Sequence, residues 1–213
     1  MLNNDDYSKA FHEIKNYVTL INSSLQLLEK QHPEVKEYAL WKNSLQSLSF
    51  LREMILTLSL ARSSEQVELK PVDIGILLHD IIDSIQSLKW KNSFVCQADI
   101  QPNLPVIEAD SCRLTQAVIN ILKNAYEAMG KTGTCFLSAY ADLEYLHIDI
   151  TDFGGGIHPD FQARLFTPFS SSKKDGTGLG LNITKQIIEN HHGTLSYESR
   201  ENDGCTFFIT LPL

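Results

Sequence analysis

The sequence has few cysteines and no long apolar run. Its four cysteines (Cys96, Cys112, Cys135, Cys205) include no Cys-x-x-Cys pair, which excludes a dense disulfide framework and argues against a zinc site. No stretch approaches the roughly 18 unbroken apolar residues that a membrane span needs. The first residues, MLNNDDYSKA, lack the basic and apolar regions of a signal peptide. We therefore expect a cytoplasmic chain with no membrane span and with reduced cysteines.

An excess of basic charge is also missing. The 213 residues carry 18 Lys and Arg against 26 Asp and Glu, a net charge of −8. Residues 1–62 are neutral, with seven of each sign, so the acidic excess lies in residues 63–213, with 11 basic and 19 acidic side chains. Nucleic-acid binding through counterion release needs a basic face. We therefore expect no nucleic-acid partner.

Apolar residues near the N-terminus follow a helical repeat. From Phe11 to Leu28 they are spaced by three and four residues, which is typical of a bundle seam. Pro33 breaks the pattern and suits the first turn of a second helix, which runs to about Arg62. The apolar stripe of that helix is too wide for one partner. The pattern predicts a two-helix hairpin over residues 1–64 that pairs with a second copy into a four-helix bundle, and hence a homodimer.

The rest of the chain mixes helices with strands. Residues 65–70 resemble a linker, and Pro71 opens the next unit. The pattern predicts helices near 73–88, 111–129 and 181–191, and strands near 93–100, 134–141, 145–151, 194–199 and 205–211. This order predicts an α+β domain over residues 71–213, built as a two-layer α/β sandwich.

Three groups of residues in this domain could carry chemistry. Asn120 and Asn124 lie four apart on one helix face, where neutral oxygens could hold a magnesium ion. Asp152 ends a strand before three glycines, and the glycine cluster at 176–180 opens a helix whose free N–H groups could face an anion. Taken singly, each group has an ordinary explanation: a solvated helix surface, a strand-to-loop turn and a glycine turn before a helix.

The order and spacing of the motifs are more informative than any one of them. Asn-x-x-x-Asn at 120–124, Asp-x-Gly-x-Gly at 152–156, Phe166-x-x-Phe169 and Gly-Thr-Gly-Leu-Gly-Leu at 176–181 occur in sequence. Together with Gly204-x-Thr206-Phe207 and Leu211-Pro212, they resemble the ATP-binding domain of sensor histidine kinases, within the gyrase and histidine-kinase (GHKL) superfamily. The resemblance covers about residues 71–213 and implies a GHKL-type ATPase fold.

The resemblance implies roles for individual residues. Asn124 would be the magnesium ligand and Asn120 its companion near the phosphates. Asp152 would accept a hydrogen bond from the adenine amino group. The other residues that the resemblance assigns to the nucleotide site are Gly154, Gly156, Lys173, Thr177, Gly178, Leu179, Gly180 and Thr206. ATP and magnesium are the implied cofactors.

The hairpin offers a phosphate acceptor. His12-Glu13-Ile14-Lys15-Asn16 lies one position off the apolar seam and resembles the phosphoacceptor box of histidine kinases. By that resemblance His12 attacks the γ-phosphate, Glu13 holds or deprotonates it, and Asn16 positions water for dephosphorylating a partner. A lone helical histidine is usually an ordinary surface residue, so this assignment depends on the kinase-like domain that follows.

Three positions refine the comparison with the family. The resemblance implies that superfamily members which hydrolyse ATP carry a glutamate that activates water at the position of Asn120. Because asparagine is a poor base, phosphoryl transfer is more plausible here than hydrolysis. Tyr17 replaces the usual proline five residues after the histidine. Glu127 stands where many members have lysine or arginine, a variant that looks like the nitrogen-regulatory and sporulation-type subgroup.

The expected function is that of an ATP-dependent protein-histidine kinase of a two-component system. It would pass phosphate from His12 to an aspartate of a response regulator, and could also act as the phosphatase of that regulator. Two alternatives remain open. One is a phosphorelay or interaction module with an inactive kinase domain. The other is a GHKL-type ATPase or anti-sigma serine kinase.

Overall fold

The computed structural model describes residues 4–62, 68–87, 93–173 and 176–213. Within its helices, the side chains of residues 4–12, 46, 50, 52–54, 56–62 and 87 lie outside that description. The predicted linker at 65–70 is described only from residue 68 onward, and its last residue, Lys70, already belongs to a strand.

The N-terminal region is a helical hairpin. Helix α1 spans Asn4–Gln31 and helix α2 spans Ala39–Arg62. The sequence predicts that Pro33 opens the second helix. In the structure Pro33 opens a short 3-10 helix instead, Pro33–Glu37, because Tyr38 is extended and interrupts the helical path. The Glu29 carboxylate on α1 contacts both following elements. It accepts a hydrogen bond from Trp41 Nε1 of α2 at 3.3 Å and pairs with Lys36 of the 3-10 helix at 2.8 Å.

The second region contains seven strands and four helices among the described residues. Its elements, in chain order, are β1 Lys70–Asp73, α3 Ile74–Ser87, β2 Phe94–Ile100, β3 Val106–Ala109, α4 Ser111–Ala128, β4 Gly133–Ala141, β5 Tyr145–Asp152, α5 Pro159–Gln162, α6 Gly180–Asn190, β6 Thr194–Arg200 and β7 Gly204–Pro212. The elements β1, β3 and α5 were not predicted, because four residues are too few to show a clear hydrophobic period.

Five of these strands form one sheet in the order β2-β4-β5-β7-β6. Only the β2–β4 pair is parallel within it, with Cys96 opposite Cys135. Strands β1 and β3 form a separate antiparallel pair. Alternate residues of β4, β5 and β7 are buried against α3, α4 and α6, which supply Leu78, Leu122 and Ile187 to the core. The predicted combination of a sheet with flanking helices is confirmed.

The opposite face of the sheet stays exposed. Phe136, Tyr140 and Tyr145 each keep more than 40% of their surface accessible there. Tyr140 stacks on His147, which in turn pairs with Asp142 at 3.0 Å. In the part of the chain that the structure describes, helices therefore cover one side of the sheet only, and the loops at the end of β5 and before α6 are left to shape a cavity on that helical side.

In the described part of the chain, no helix combines the length and the apolar character required to cross a bilayer.

Candidate nucleotide site

A cavity of about 580 Å³ lies where α4, the end of β5 and the start of α6 meet. This volume falls within the range of about 300–1,000 Å³ that is usual for small-molecule sites. The segment between β5 and α6 forms its outer wall. Eight of the predicted site residues line it: Asn120, Asn124, Asp152, Gly156, Lys173, Thr177, Gly178 and Gly180.

Helix α4 supplies the two asparagines. Asp110 caps its first turn by accepting a hydrogen bond from the Arg113 N–H at 3.1 Å, and the apolar face of the helix packs on the sheet. The Asn120 Nδ2 group donates to the Gly180 carbonyl at 3.3 Å and so ties α4 to the start of α6. Asn124 Oδ1 accepts a hydrogen bond from Lys173 Nζ at 3.2 Å. One turn of helix thus presents both amides to the cavity.

Asp152 forms the buried floor at the other end of the cavity. Its side chain is only 5% exposed, and its Oδ1 accepts the Gly154 N–H at 2.9 Å. Burial raises the pKa of this carboxyl, while the Gly154 N–H and the charge of Lys173 act in the opposite direction. Its other oxygen is a candidate acceptor for a ligand donor.

Two glycines near Asp152 are required by close backbone approach. Gly156 has a φ of +68°, and a Cβ there would collide with the Arg200 carbonyl. Gly204 has a φ of +111°, and a Cβ there would collide with the carbonyl oxygen of Asp152. Such φ values favour glycine over any other residue. The floor of the cavity is therefore fixed by main-chain packing.

The glycine loop before α6 forms the opposite end. Gly178 has a φ of +67°, and a Cβ there would lie 2.5 Å from the main-chain nitrogen of Ser170. Thr177 Oγ1 accepts the Leu179 N–H at 3.4 Å, and Leu179 gives the helix no side-chain cap. The first N–H groups of α6 have no partner within the helix, so they can bind an anion.

The charge around the cavity is locally positive, although the domain is acidic. Lys123, Lys131 and Lys173 line the cavity, as does one surface carboxylate, Glu127. Lys173 Nζ lies 2.5 Å from Glu127 Oε2. Within the described residues there is no cluster of three or more His, Cys, Asp or Glu side chains that could hold a metal.

Three predicted residues do not line the cavity. Gly154 packs against the Ala128 backbone, where a Cβ would approach to 2.8 Å. The Leu179 side chain lies in the core. Thr206 points to the exposed face of the sheet, where its hydroxyl meets that of Thr151 at 3.0 Å. Strand alternation accounts for this difference, because Cys205 and Phe207, on either side of Thr206, face the cavity instead.

Several lining residues were missed by the sequence analysis. They are apolar side chains that follow the glycine-rich turn or lie on β7: Ile157, Phe161, Leu165, Leu181, Cys205 and Phe207. Phe166 and Phe169 were noted as a motif, but Phe166 packs edge-on against Tyr197, with ring centroids 5.9 Å apart. The apolar residues around Asp152 suit a flat, hydrophobic ring system. The period-2 pattern of β7 was the one available signal for Cys205 and Phe207.

The hairpin places the predicted acceptor box on α1. Glu13 and Asn16 are exposed, and Tyr17 is 63% exposed. The backbone of His12 belongs to α1, but its side chain lies outside the described part of the structure. Lys15, Thr19 and Ser49 border a second cavity, which is shared with α4 and α6. The hairpin therefore lies next to the glycine-loop end of the first cavity, which Ser49 also lines.

Known proteins are similar to this chain in sequence. Residues 109–213 match the family described as histidine kinase-, DNA gyrase B- and HSP90-like ATPase. Sporulation kinase E of Bacillus subtilis (strain 168) is 33% identical over 204 residues, 95% of this chain and 27% of that protein. Sporulation kinase B of the same organism is 35% identical over 205 residues, 94% of this chain and 47% of that protein. The chain thus spans half or less of the length of these relatives.

Solved structures share the same fold. Full-length ShkA in complex with AMPPNP superposes with a TM-score of 0.78 at 24% identity, over 99% of this chain and 46% of that one. Histidine kinase ThkA in complex with the response regulator protein TrrA gives a TM-score of 0.66 at 23% identity, over 98% and 61% of the two chains. Both likenesses span the hairpin as well as the sheet domain.

Proposed function

We propose that this chain carries the ATPase core of a histidine kinase and acts as an ATP-dependent protein-histidine kinase of a two-component system. The observation that carries the proposal is the cavity, which combines the buried Asp152 carboxylate, the Asn124 amide and the glycine loop in one space next to the hairpin. The resemblance to sporulation kinases E and B supports the nitrogen-regulatory and sporulation-type subgroup.

The two ends of the cavity suit the two ends of ATP. The buried oxygen of Asp152 would accept a hydrogen bond from the adenine amino group, and the apolar side chains of Ile157 and Phe207 would pack on the ring. The first turn of α6, with Thr177, Gly178 and Lys173, would meet the phosphates. Asp152 can accept this hydrogen bond as a carboxylate, and purines that present an acceptor at that position would be rejected.

Magnesium fits the donor set at the phosphate end. Asn124 offers a neutral oxygen that already accepts a hydrogen bond from a cationic ammonium group, so this oxygen faces a position that suits positive charge. Magnesium prefers oxygen ligands and keeps several waters when it binds nucleotide phosphates. Asn124 would therefore hold the ion, which supplies neutralisation of the phosphate charge, while the remaining ligands come from phosphates and water.

The chemistry proposed is phosphoryl transfer to His12. One imidazole nitrogen of His12 forms a bond to the γ-phosphorus while the bond from that phosphorus to the β–γ bridging oxygen breaks, and ADP leaves with the electron pair. Asn120 cannot take a proton from water as a glutamate would, and its amide is engaged with the Gly180 carbonyl. Transfer to a positioned nucleophile therefore fits the site better than hydrolysis.

The exposed apolar seam of the hairpin supports a homodimer. Ile14, Ile21 and Leu28 recur every seven residues on α1 and keep 41–47% of their surface accessible, and Leu40 on α2 is 80% exposed. Such a seam is stabilised by packing against a second hairpin. We therefore propose a four-helix bundle made by two chains, with the acceptor histidines displayed on its surface.

A response regulator is the proposed next acceptor. ThkA, whose fold this chain shares, has been solved together with the response regulator protein TrrA. The exposed Glu13 and Asn16 flank the acceptor position on α1, where a receiver domain could reach them. Asn16 would orient water for removing phosphate from that receiver. In this proposal the kinase acts in the cytoplasm, where ATP is available.

The decisive experiment is phosphate labelling of the full chain with γ-labelled ATP and magnesium. Wild-type protein is expected to acquire an acid-labile, base-stable label, and His12→Gln is expected to acquire none while binding nucleotide as before. His32→Gln is the matched control, because His32 is also a histidine of the hairpin and is exposed beside Glu34.

Each possible result of the labelling experiment supports one of the candidate functions. Label retained in His12→Gln would place the acceptor elsewhere, and an acid-stable label would indicate a serine kinase. Nucleotide binding without any label in wild-type protein would indicate the inactive relay module. Transfer of the label from His12 to a purified receiver domain within seconds would establish the two-component pathway.

A further inference from the structure

At the phosphate end of the cavity, the proposed function gives no role to the contact between Lys173 and Glu127. The Lys173 ammonium lies 2.5 Å from Glu127 Oε2 and 3.2 Å from Asn124 Oδ1. Asn124 and Glu127 are three residues apart on α4, so their side chains are neighbours on one helix face and a single ammonium reaches both. Lys173 belongs to the segment between β5 and α6. The contact therefore fastens this segment to the helix that carries the proposed metal ligand.

The two acceptors of Lys173 differ in what they can do when a nucleotide enters. The Asn124 oxygen is needed for magnesium, and an ammonium beside a divalent cation is repelled. The Glu127 carboxylate is not needed by the phosphates, which it would repel if it were unpaired. Binding of a magnesium nucleotide should therefore move the ammonium off Asn124, and the Glu127 carboxylate is the anchor that keeps it close.

We propose that Glu127 is a positioning residue for phosphoryl transfer: its carboxylate holds Lys173 within one helical turn of Asn124, so that the ammonium passes from the Asn124 oxygen to a phosphate oxygen when nucleotide binds. The inference rests on the proposed function and deepens it. Here the cation reaches the phosphates from the loop, and the helix supplies the acid that holds it.

A purely structural role would leave a different signature. The side chains of Lys173 and Glu127 are 40% and 32% exposed. Ion pairs this exposed contribute about 0–1 kcal/mol to stability, so losing one leaves the fold intact. A large loss of transfer rate in a variant with unchanged thermal stability would then reflect the position of Lys173 rather than unfolding.

The first test is Glu127→Gln. Its rate of transfer from saturating magnesium ATP to His12 should fall about tenfold, the loss expected when a charged group no longer meets the transition state. Its affinity for ADP and the magnesium concentration at half-saturation should stay within about twofold of wild type, because the variant removes neither a ligand nor a phosphate contact. A large rise in the magnesium requirement would instead make Glu127 a metal ligand and overturn the proposal.

The second test does not depend on catalysis. Without nucleotide, trypsin should cleave after Lys173 several times faster in Glu127→Gln than in wild type, because the ammonium is no longer held by the carboxylate. Glu189→Gln is the matched control. It removes the acid of a partly exposed pair on α6, in which Lys185 Nζ and Glu189 Oε1 are 3.8 Å apart, and should change neither cleavage nor transfer.

Exchanging the charges at positions 127 and 173 should restore the rate of phosphoryl transfer. The double variant Glu127→Lys with Lys173→Glu keeps the pair and presents the cation from the helix, so transfer should return to within about threefold of wild type, whereas each single change loses about tenfold or more. Wild-type cleavage and wild-type transfer in Glu127→Gln would overturn the inference. Absence of nucleotide binding in wild-type protein would overturn the proposed function instead, and the cleavage comparison would still report on the Glu127–Lys173 contact.

Discussion

The two ends of the nucleotide cavity are built in different ways. At the adenine end, Asp152 is almost fully buried, and Gly156 and Gly204 allow main-chain contacts that no larger residue permits. At the phosphate end, the walls meet through a partly exposed lysine, a carboxylate and an amide. One end is set by backbone packing and the other by side-chain charges that can exchange partners. In the proposed function, recognition of the base thus needs no movement, whereas loading of the phosphates does.

The largest effect is expected from a substitution at the adenine end, which is fixed by backbone packing. Gly156→Ala introduces a Cβ at a positive φ and against the Arg200 carbonyl, which should cost about 2 kcal/mol or more of stability and abolish detectable ATP binding. Thermal unfolding and calorimetric titration with ATP measure both. Gly155→Ala is the control, because a Cβ at Gly155 meets nothing within 4 Å. Equal behaviour of the two variants would show that the adenine end is not fixed by its backbone.

A smaller effect is expected when only the acceptor on the floor is changed. Asp152→Asn should weaken ATP binding by about tenfold to a hundredfold, the range for losing a charged hydrogen-bond acceptor, with little change in stability. Asp149→Asn, on the same strand but facing the exposed side of the sheet, should bind ATP normally. Preference for ATP over GTP should shrink in Asp152→Asn and persist in Asp149→Asn. An unchanged preference would remove Asp152 from base recognition.

The phosphate end is tested by Asn124→Ala. In the presence of magnesium this variant should bind ATP about tenfold more weakly, because one metal ligand is lost. In EDTA it should bind as wild-type protein does. Titrations with and without magnesium separate the two contributions. A loss of equal size in EDTA would mean that Asn124 contacts the nucleotide directly and that the metal is held elsewhere.

The smallest effect concerns pH, and it serves as a reference for the contrast because it arises outside both ends of the cavity, where the end of α6 meets the start of α4. His191 ends α6, is 4% exposed, accepts the Asp110 N–H on Nε2 at 2.9 Å and contacts the Ile187 carbonyl through Nδ1 at 2.7 Å. Burial lowers its pKa below 6.5, while the Ile187 carbonyl and Asp110 raise it and Arg113 and His192 lower it further. The neutral ring is therefore the folded form.

The sign of the pH dependence follows from this. Above pH 6.5 the ring is neutral in both the folded and the unfolded chain, so its full contribution to stability is present. Below pH 6.5 the unfolded chain takes up the proton first, so the free energy of unfolding should fall as the pH drops towards 5. Denaturant titrations of His191→Gln should show a weaker dependence over this range, whereas His192→Gln, an exposed neighbour, should behave as wild type. Identical slopes in all three proteins would contradict this role for His191.

Sequence reasoning reached the combination of a sheet with flanking helices, and eight of the residues it selected line one cavity, because the relevant signals are local. Asn120 and Asn124 share a helix face, and Gly156 and Gly178 stand where a positive φ is required, so their placement follows from spacing and from turn chemistry. The resemblance assigns Thr206 to the nucleotide site, but its hydroxyl meets that of Thr151 on the other face of the sheet, and the motif does not reveal which face of β7 it takes. The Lys173–Glu127 pair joins residues 46 positions apart, and no local pattern encodes a contact at that distance.

The parallel pairing of β2 with β4 has a consequence for how the domain forms. These strands cannot be joined by a tight hairpin, and the crossover between them contains β3 and α4, the helix that bears Asn120 and Asn124. During folding, β2 can join the sheet only after this whole excursion has closed, which costs chain entropy before any reward is gained. Formation of this sheet edge is therefore expected to depend on closure of the segment that carries Asn120 and Asn124.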